Sequence, residues 1–147
     1  MTVDLTELRS MLAENSERAS AAKGIAAWIA AQGSYRWVGI YEVTATEIGM
    51  IACTGSTPPA FPRFPVSRGL CGAAVATKSM VNVGNVQEDP RWLTTFGSTR
   101  SEIIVPVLAE NETVTGLIDV ESDALSAFSD SDEQFLSQCA RIMGPLF

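Results

Sequence analysis

The stretch from Ser101 to Asp123, SEIIVPVLAENETVTGLIDVESD, constrains the fold more than any other part of the chain. It reads as two strands joined by a polar turn, AENETV. A strand sends successive side chains to opposite faces, so Ile103, Val105 and Val107 share one face and Glu102, Ile104 and Leu108 the other. In the second strand Ile118 and Val120 share one face, and Leu117, Asp119 and Glu121 the opposite one. A solvated hairpin does not need acids on strands this apolar. If the hairpin is central, Glu102, Asp119 and Glu121 form an acidic lining that must find a partner, because an unpaired buried charge is costly. The plain alternative puts Asp119 and Glu121 on an edge strand facing water, with Glu102 paired to Arg100 or Arg68.

The remaining elements fall around this hairpin. Residues Thr2 to about Gln32 carry helically spaced apolar stripes, with a break at Asn15-Ser16, a cap at Ser16 and an end at Gly33. Arg36–Val43 is a strand apolar on both faces, with Trp37, Gly39 and Tyr41 on one side and Val38 and Ile40 on the other; such a strand belongs in the middle of a covered sheet. A turn leads into a second strand, Ile48–Thr54. Residues 55–65 (GSTPPAFPRFP) hold four of the chain's seven prolines and are expected to be a loop without regular structure. A short helix follows over Arg68–Ala76 with Cys71 in its first turn, then a short strand at Val81–Val86. A second irregular connection carries Trp92 and Phe96, as either a lid or an anchor. Ser129, with Asp132 three positions on, opens a last helix whose stripe runs through Phe135, Leu136, Cys139, Ile142, Met143 and Leu146. The order predicts an α+β fold: one domain over residues 1–147, with a central antiparallel sheet, terminal helices on one face and long loops on the other.

Composition removes several functions. A net charge of −7 speaks against a nucleic-acid surface. No run of about 20 apolar residues suits a membrane span, and the polar, acidic N-terminus is unlike a signal peptide. A cytoplasmic location is the default expectation. The three cysteines, Cys53, Cys71 and Cys139, fit free thiols in a reducing compartment better than a disulfide framework. Without any histidine, Ser-His-Asp and Cys-His catalysis and His-ligated haem or zinc are excluded. No CxxC pair, P-loop or GxGxxG fingerprint is present. No cofactor and no metal are expected, though carboxylate-bound calcium or magnesium stays open.

Four motifs resemble those of GAF domains, and within these the chain is most similar to the free methionine-(R)-sulfoxide reductases. They are W-x-G-x-Y (Trp37, Gly39, Tyr41), R-G-x-C-G (Arg68 to Gly72), R-S-E-I-I-V-P (Arg100 to Pro106) and G-L-I-D-V-E-S (Gly116 to Ser122). The resemblance implies a closed pocket in which Trp37, Tyr41, Glu102, Asp119 and Glu121 hold the amino group of a small ligand. An ammonium among carboxylates under aromatic faces is charge-paired and gains cation–π attraction. Glu121 stands where the family has the shorter Asp. The family's reactive cysteine maps to Thr95 and a second one to Phe61, so Cys71 alone remains of three. A threonine hydroxyl cannot form the sulfenic acid that the family's reduction requires.

Three functions follow as expectations. The first is a small-molecule-binding sensor module for signal transduction, with an amino-bearing ligand, and catalysis is expected to be absent. The second is a reductase working through Cys71, whose thiol a helix N-terminus would lower in pKa, with a Cys53–Cys71 couple as one substitute for the missing thiols. The third is a homodimerisation module built on the terminal helices, its pocket vestigial. A retained acidic lining favours the first over the third, and repels the phosphate of a cyclic nucleotide.

Overall fold

The computed structural model describes residues 3–14 and 17–147. Helices α1 (Thr6–Ala13) and α2 (Arg18–Gly33) open the chain. The expected break and cap at Asn15-Ser16 lie outside the described residues. Gly33 is the last helical residue, but the left-handed turn falls on Ser34 (φ 54°), whose N–H donates to the Ala30 carbonyl. Strands β1 (Trp37–Val43), β2 (Glu47–Cys53) and β3 (Arg63–Pro65) follow, then α3 (Gly69–Thr77), β4 (Val81–Val83), β5 (Ser101–Leu108), β6 (Val114–Ser122) and α4 (Asp130–Ile142). No described helix is long and apolar enough to cross a membrane.

The six strands form one sheet in the order β3-β2-β1-β6-β5-β4, every neighbouring pair antiparallel. The two strands with apolar residues on both faces, β1 and β6, therefore sit in the middle, as their composition requires. One face of the sheet, through Val38, Ile40, Ile103, Val105, Ile118 and Val120, packs on α1, α2 and α4 to make the larger core. The other face carries Trp37, Tyr41, Ile48, Ile104 and Leu117 and is covered by α3 and the long connections. Helix α4 starts on a capping box: the Asp132 carboxylate accepts from the Ser129 N–H at 2.8 Å and its hydroxyl at 3.0 Å. The α+β architecture is the expected one.

Two expectations need correction. The proline-rich segment is not wholly irregular, because Arg63–Pro65 pairs with Glu47–Gly49 as the outermost strand. An edge position tolerates proline, whose missing N–H would break only an inner ladder. Leu108 does not continue the Glu102–Ile104 face: the β5–β6 register shifts between Val107 and Leu108, leaving Leu108 42% exposed.

Ile118 is fully buried at the centre of the helix-side core. Truncation to alanine removes three carbons from a packed interior, and Ile118→Ala is expected to lower unfolding stability by about 2–5 kcal/mol in urea. A loss under about 1 kcal/mol would mean that β6 is not the central strand.

Candidate functional site

Three acids line up across the middle of the sheet on the face away from the terminal helices. In the β5–β6 ladder Glu102 stands directly opposite Glu121 and Ile104 opposite Asp119. On the other flank β1 sets Trp37 opposite Glu121 and Gly39 opposite Asp119. Gly39 is required by close approach: a Cβ there would lie 2.5 Å from Trp37 Cη2 and 2.9 Å from Tyr41 Cε1. Its bare Cα lets both rings fold over the strand beside Asp119. Cys71, on the first turn of α3, comes in from above.

All of these groups are buried: Glu102 is 3% exposed, Asp119 2%, Glu121 2%, Tyr41 2%, Trp37 6% and Cys71 6%. The edge-strand alternative for the acids is thereby removed. The Thr99 hydroxyl donates to Glu121 Oε1 at 2.8 Å. Glu102 Oε1, Asp119 Oδ1 and Glu121 Oε2 have no donor, nor do the Trp37 and Trp92 indole N–H groups find an acceptor in good geometry. Among the described residues the ion pairs lie elsewhere, Arg18 and Arg63 on Glu42, Arg63 on Glu47, Arg36 on Asp123 and Arg91 on Asp89. Arg100 spends its guanidinium on the Gly97 and Thr99 carbonyls rather than on Glu102.

Like charges placed directly opposite on a buried face oppose ionisation. Burial, then the charge of Glu121, pushes Glu102 up to about 8. Burial, then Asp119, pushes Glu121 up to about 9, with the Thr99 hydroxyl pulling the other way. Burial and Glu102 hold Asp119 well above the usual carboxylate range. Adjacent carboxyls in this state can donate to one another. The expected activation of Cys71 does not occur: burial, then Asp119, Glu102 and Glu121, raises its thiol well above the ordinary value. One helix turn cannot offset three nearby acids in a dry site.

The five predicted pocket residues are close together but do not enclose one space. Tyr41, Cys71, Glu102 and Asp119 line a cavity of about 20 Å³, room for about one water molecule. Phe61 and Thr95, where the resemblance implies cysteines, line this same cavity, so the two positions are at the site with the thiols replaced by a phenyl ring and a hydroxyl. Trp37 and Glu121 line a neighbouring, more open cleft of about 280 Å³ with Phe96 and Thr99, the Arg36–Asp123 pair at its rim. Phe96 meets Trp37 edge-on at 5.3 Å, so it anchors its loop on the site. Cys53 is half-buried against this side of the sheet, whereas Cys139 is fully buried in the helix-side core. Thr99 was not foreseen; it lies just outside β5, where no strand or helix pattern marks it.

The family model for the GAF domain matches residues 5–144. GAF domain-containing protein A of Dictyostelium discoideum is 27% identical over 139 residues, 95% of this chain and 87% of that protein. The free methionine-R-sulfoxide reductase of Escherichia coli (strain K12) is 31% identical over 108 residues, 69% of this chain and 60% of the enzyme. Among solved structures, the type II free methionine-R-sulfoxide reductase of Thermoplasma acidophilum superposes with a TM-score of 0.82 at 32% identity, covering 97% of this chain and 94% of that one.

The raised carboxyls make stability depend on pH. A carboxyl with a higher pKa folded than unfolded binds more protons in the folded state, so stability is lost as pH rises. The unfolded value is near 4.3 and the folded values are about 8 for Glu102 and about 9 for Glu121, which sets the window. Without added ligand, Tm is expected to fall as pH climbs from 5 to 9, with unfolding free energy dropping by up to about 1.4 kcal/mol per pH unit for each retained proton. Glu121→Gln keeps the acceptor for Thr99 and should flatten the slope; an unchanged slope would show that these acids are already ionised at neutral pH.

Proposed function

The chain belongs to the GAF domain family, and from that premise we propose that it is a small-molecule-binding module whose ligand presents an amino group to Glu102, Asp119 and Glu121. One observation carries this reading: three carboxylates, each at least 97% buried, have an oxygen without a donor and, among the described residues, no ion pair with a basic side chain. An ammonium brings three N–H donors and one positive charge, and replaces the shared protons that otherwise hold the acids together. The Tyr41 and Trp37 rings offer aromatic faces beside it. The cavity is too small for an amino acid as it stands, so binding requires the 54–62 and 84–100 connections to open. The similarity to free methionine-R-sulfoxide reductases makes L-methionine-(R)-sulfoxide the first ligand to try.

In a thermal-shift titration, free L-methionine-(R)-sulfoxide or L-methionine is expected to raise Tm, since ligand at about a hundredfold excess over Kd adds about 2.7 kcal/mol. The desamino analogue is expected to do nothing, and Asp119→Asn should abolish the shift. A shift of equal size with the desamino analogue would sink the ammonium reading.

A reductase is the second reading, favoured by the presence of Cys71 on the same cavity as Glu102 and Asp119. The thiol would take the sulfoxide oxygen to become a sulfenic acid while the sulfoxide is reduced to the thioether. An added dithiol would then return the thiol, releasing water and a disulfide. Its raised pKa and the loss of cysteines at 61 and 95 stand against this. No methionine is expected when L-methionine-(R)-sulfoxide and dithiothreitol are supplied. Formation of methionine that Cys71→Ser abolishes would reverse the order of the two readings.

A further inference from the structure

We propose that Cys71, Glu102 and Asp119 form a binding site for one thiophilic divalent cation of the zinc type. The Cys71 sulfur and one carboxylate oxygen from each acid all lie within 4.8 Å of one another. They arrive from three separate elements, α3, β5 and β6, so the triad exists only in the folded chain. A tetrahedral zinc ion, with metal–sulfur distances of about 2.3 Å and metal–oxygen distances of about 2.0–2.2 Å, sets its ligand atoms roughly 3.5 Å apart. The spacing in the folded chain, up to 4.8 Å, is wider than this, so coordination would draw the three side chains inward toward the ion.

A second observation is independent of the spacing. Glu102 Oε1 and Asp119 Oδ1 are buried, have no donor among the described residues, and belong to side chains that line the same cavity as the thiol. That cavity, about 20 Å³, admits a body the size of a single water or ion with the covering loops in place. A cation would draw off the thiol proton and neutralise carboxylate charge that, among the described residues, pairs with no basic side chain. Thiolate in the donor set selects zinc or cadmium over magnesium or calcium. Three protein ligands leave one tetrahedral corner facing the cavity, the arrangement of an open rather than a purely structural site. The inference stands apart from amine binding, because it requires the Cys71 sulfur and an ammonium does not.

Cadmium is the probe, since a thiolate–cadmium bond gives an ultraviolet charge-transfer band. The full chain, stripped with a chelator and kept reduced, is expected to take up one cadmium ion with that band and with a rise in Tm. Cys71→Ala should abolish the band, and Asp119→Asn should keep it while weakening affinity by at least about tenfold, the loss that even outer-shell changes cause. Cys53→Ser should leave both band and affinity unchanged. If Cys71→Ala does not fold by circular dichroism, competition of zinc against cadmium in the wild type and in Glu102→Gln gives the same answer by titration. Absence of the band in the wild type, its persistence in Cys71→Ala, its loss in Cys53→Ser, or cadmium affinity unaltered in Glu102→Gln overturns the proposal. Amine binding measured in chelator is untouched by any of these results, so the two ideas fail separately.

Discussion

The cost of burying Glu102, Asp119 and Glu121 side by side is the constraint that the rest of this structure must meet. Glu102 and Glu121 face each other directly across the β5–β6 ladder, and Asp119 stands two residues from Glu121 on the same face. Like charges at that spacing, out of water and without a basic partner, cannot all be ionised. The site therefore holds protons or holds a cation. Either state is unusual for a sheet interior, and a chain selected only for stability would place apolar residues there.

What makes the arrangement tolerable is the rigidity of its frame. Acids on an edge strand would turn to water; these sit on the central β6 and its neighbour β5, with α1, α2 and α4 packed on the reverse face of the sheet. Ile118 and Val120 alternate with the acids and are fully buried on that reverse face, so β6 cannot rotate to expose them without losing the larger core. Gly39 then leaves room for Trp37 and Tyr41 to bend over the strand, and the Thr99 hydroxyl donates to Glu121. Covering the acids falls to α3 and the long connections.

The thiol and the acids affect each other more than either does alone. Cys71 would be an activated nucleophile only beside positive charge, and its neighbours here are negative. Phe61 and Thr95 line the same cavity and bring a phenyl ring and a hydroxyl, so neither position offers Cys71 a thiol partner.

How much of this was legible beforehand depends on the range of the interaction. The alternation of Ile118 and Val120 with Leu117, Asp119 and Glu121 marks two faces of one strand, and a strand apolar on both faces has to be central; these follow from backbone geometry alone. The Ser129–Asp132 cap follows from its residue types and spacing, whereas grouping Trp37, Tyr41, Glu102, Asp119 and Glu121 in one pocket rests on the motif resemblance. Edge pairing of Arg63–Pro65 was missed because proline content argues against strands in general and edge positions are set by a partner strand elsewhere. Thr99 was missed because nothing in its neighbourhood pattern reveals a donor aimed at Glu121. By itself the sequence determined which residues face which side of each strand, because that period is local. Only the tertiary structure decided that Cys71 comes to rest among the acids rather than beside positive charge, that its thiol is suppressed, and that one lining divides into a small cavity and an open cleft, because electrostatics and packing act across elements far apart in the chain.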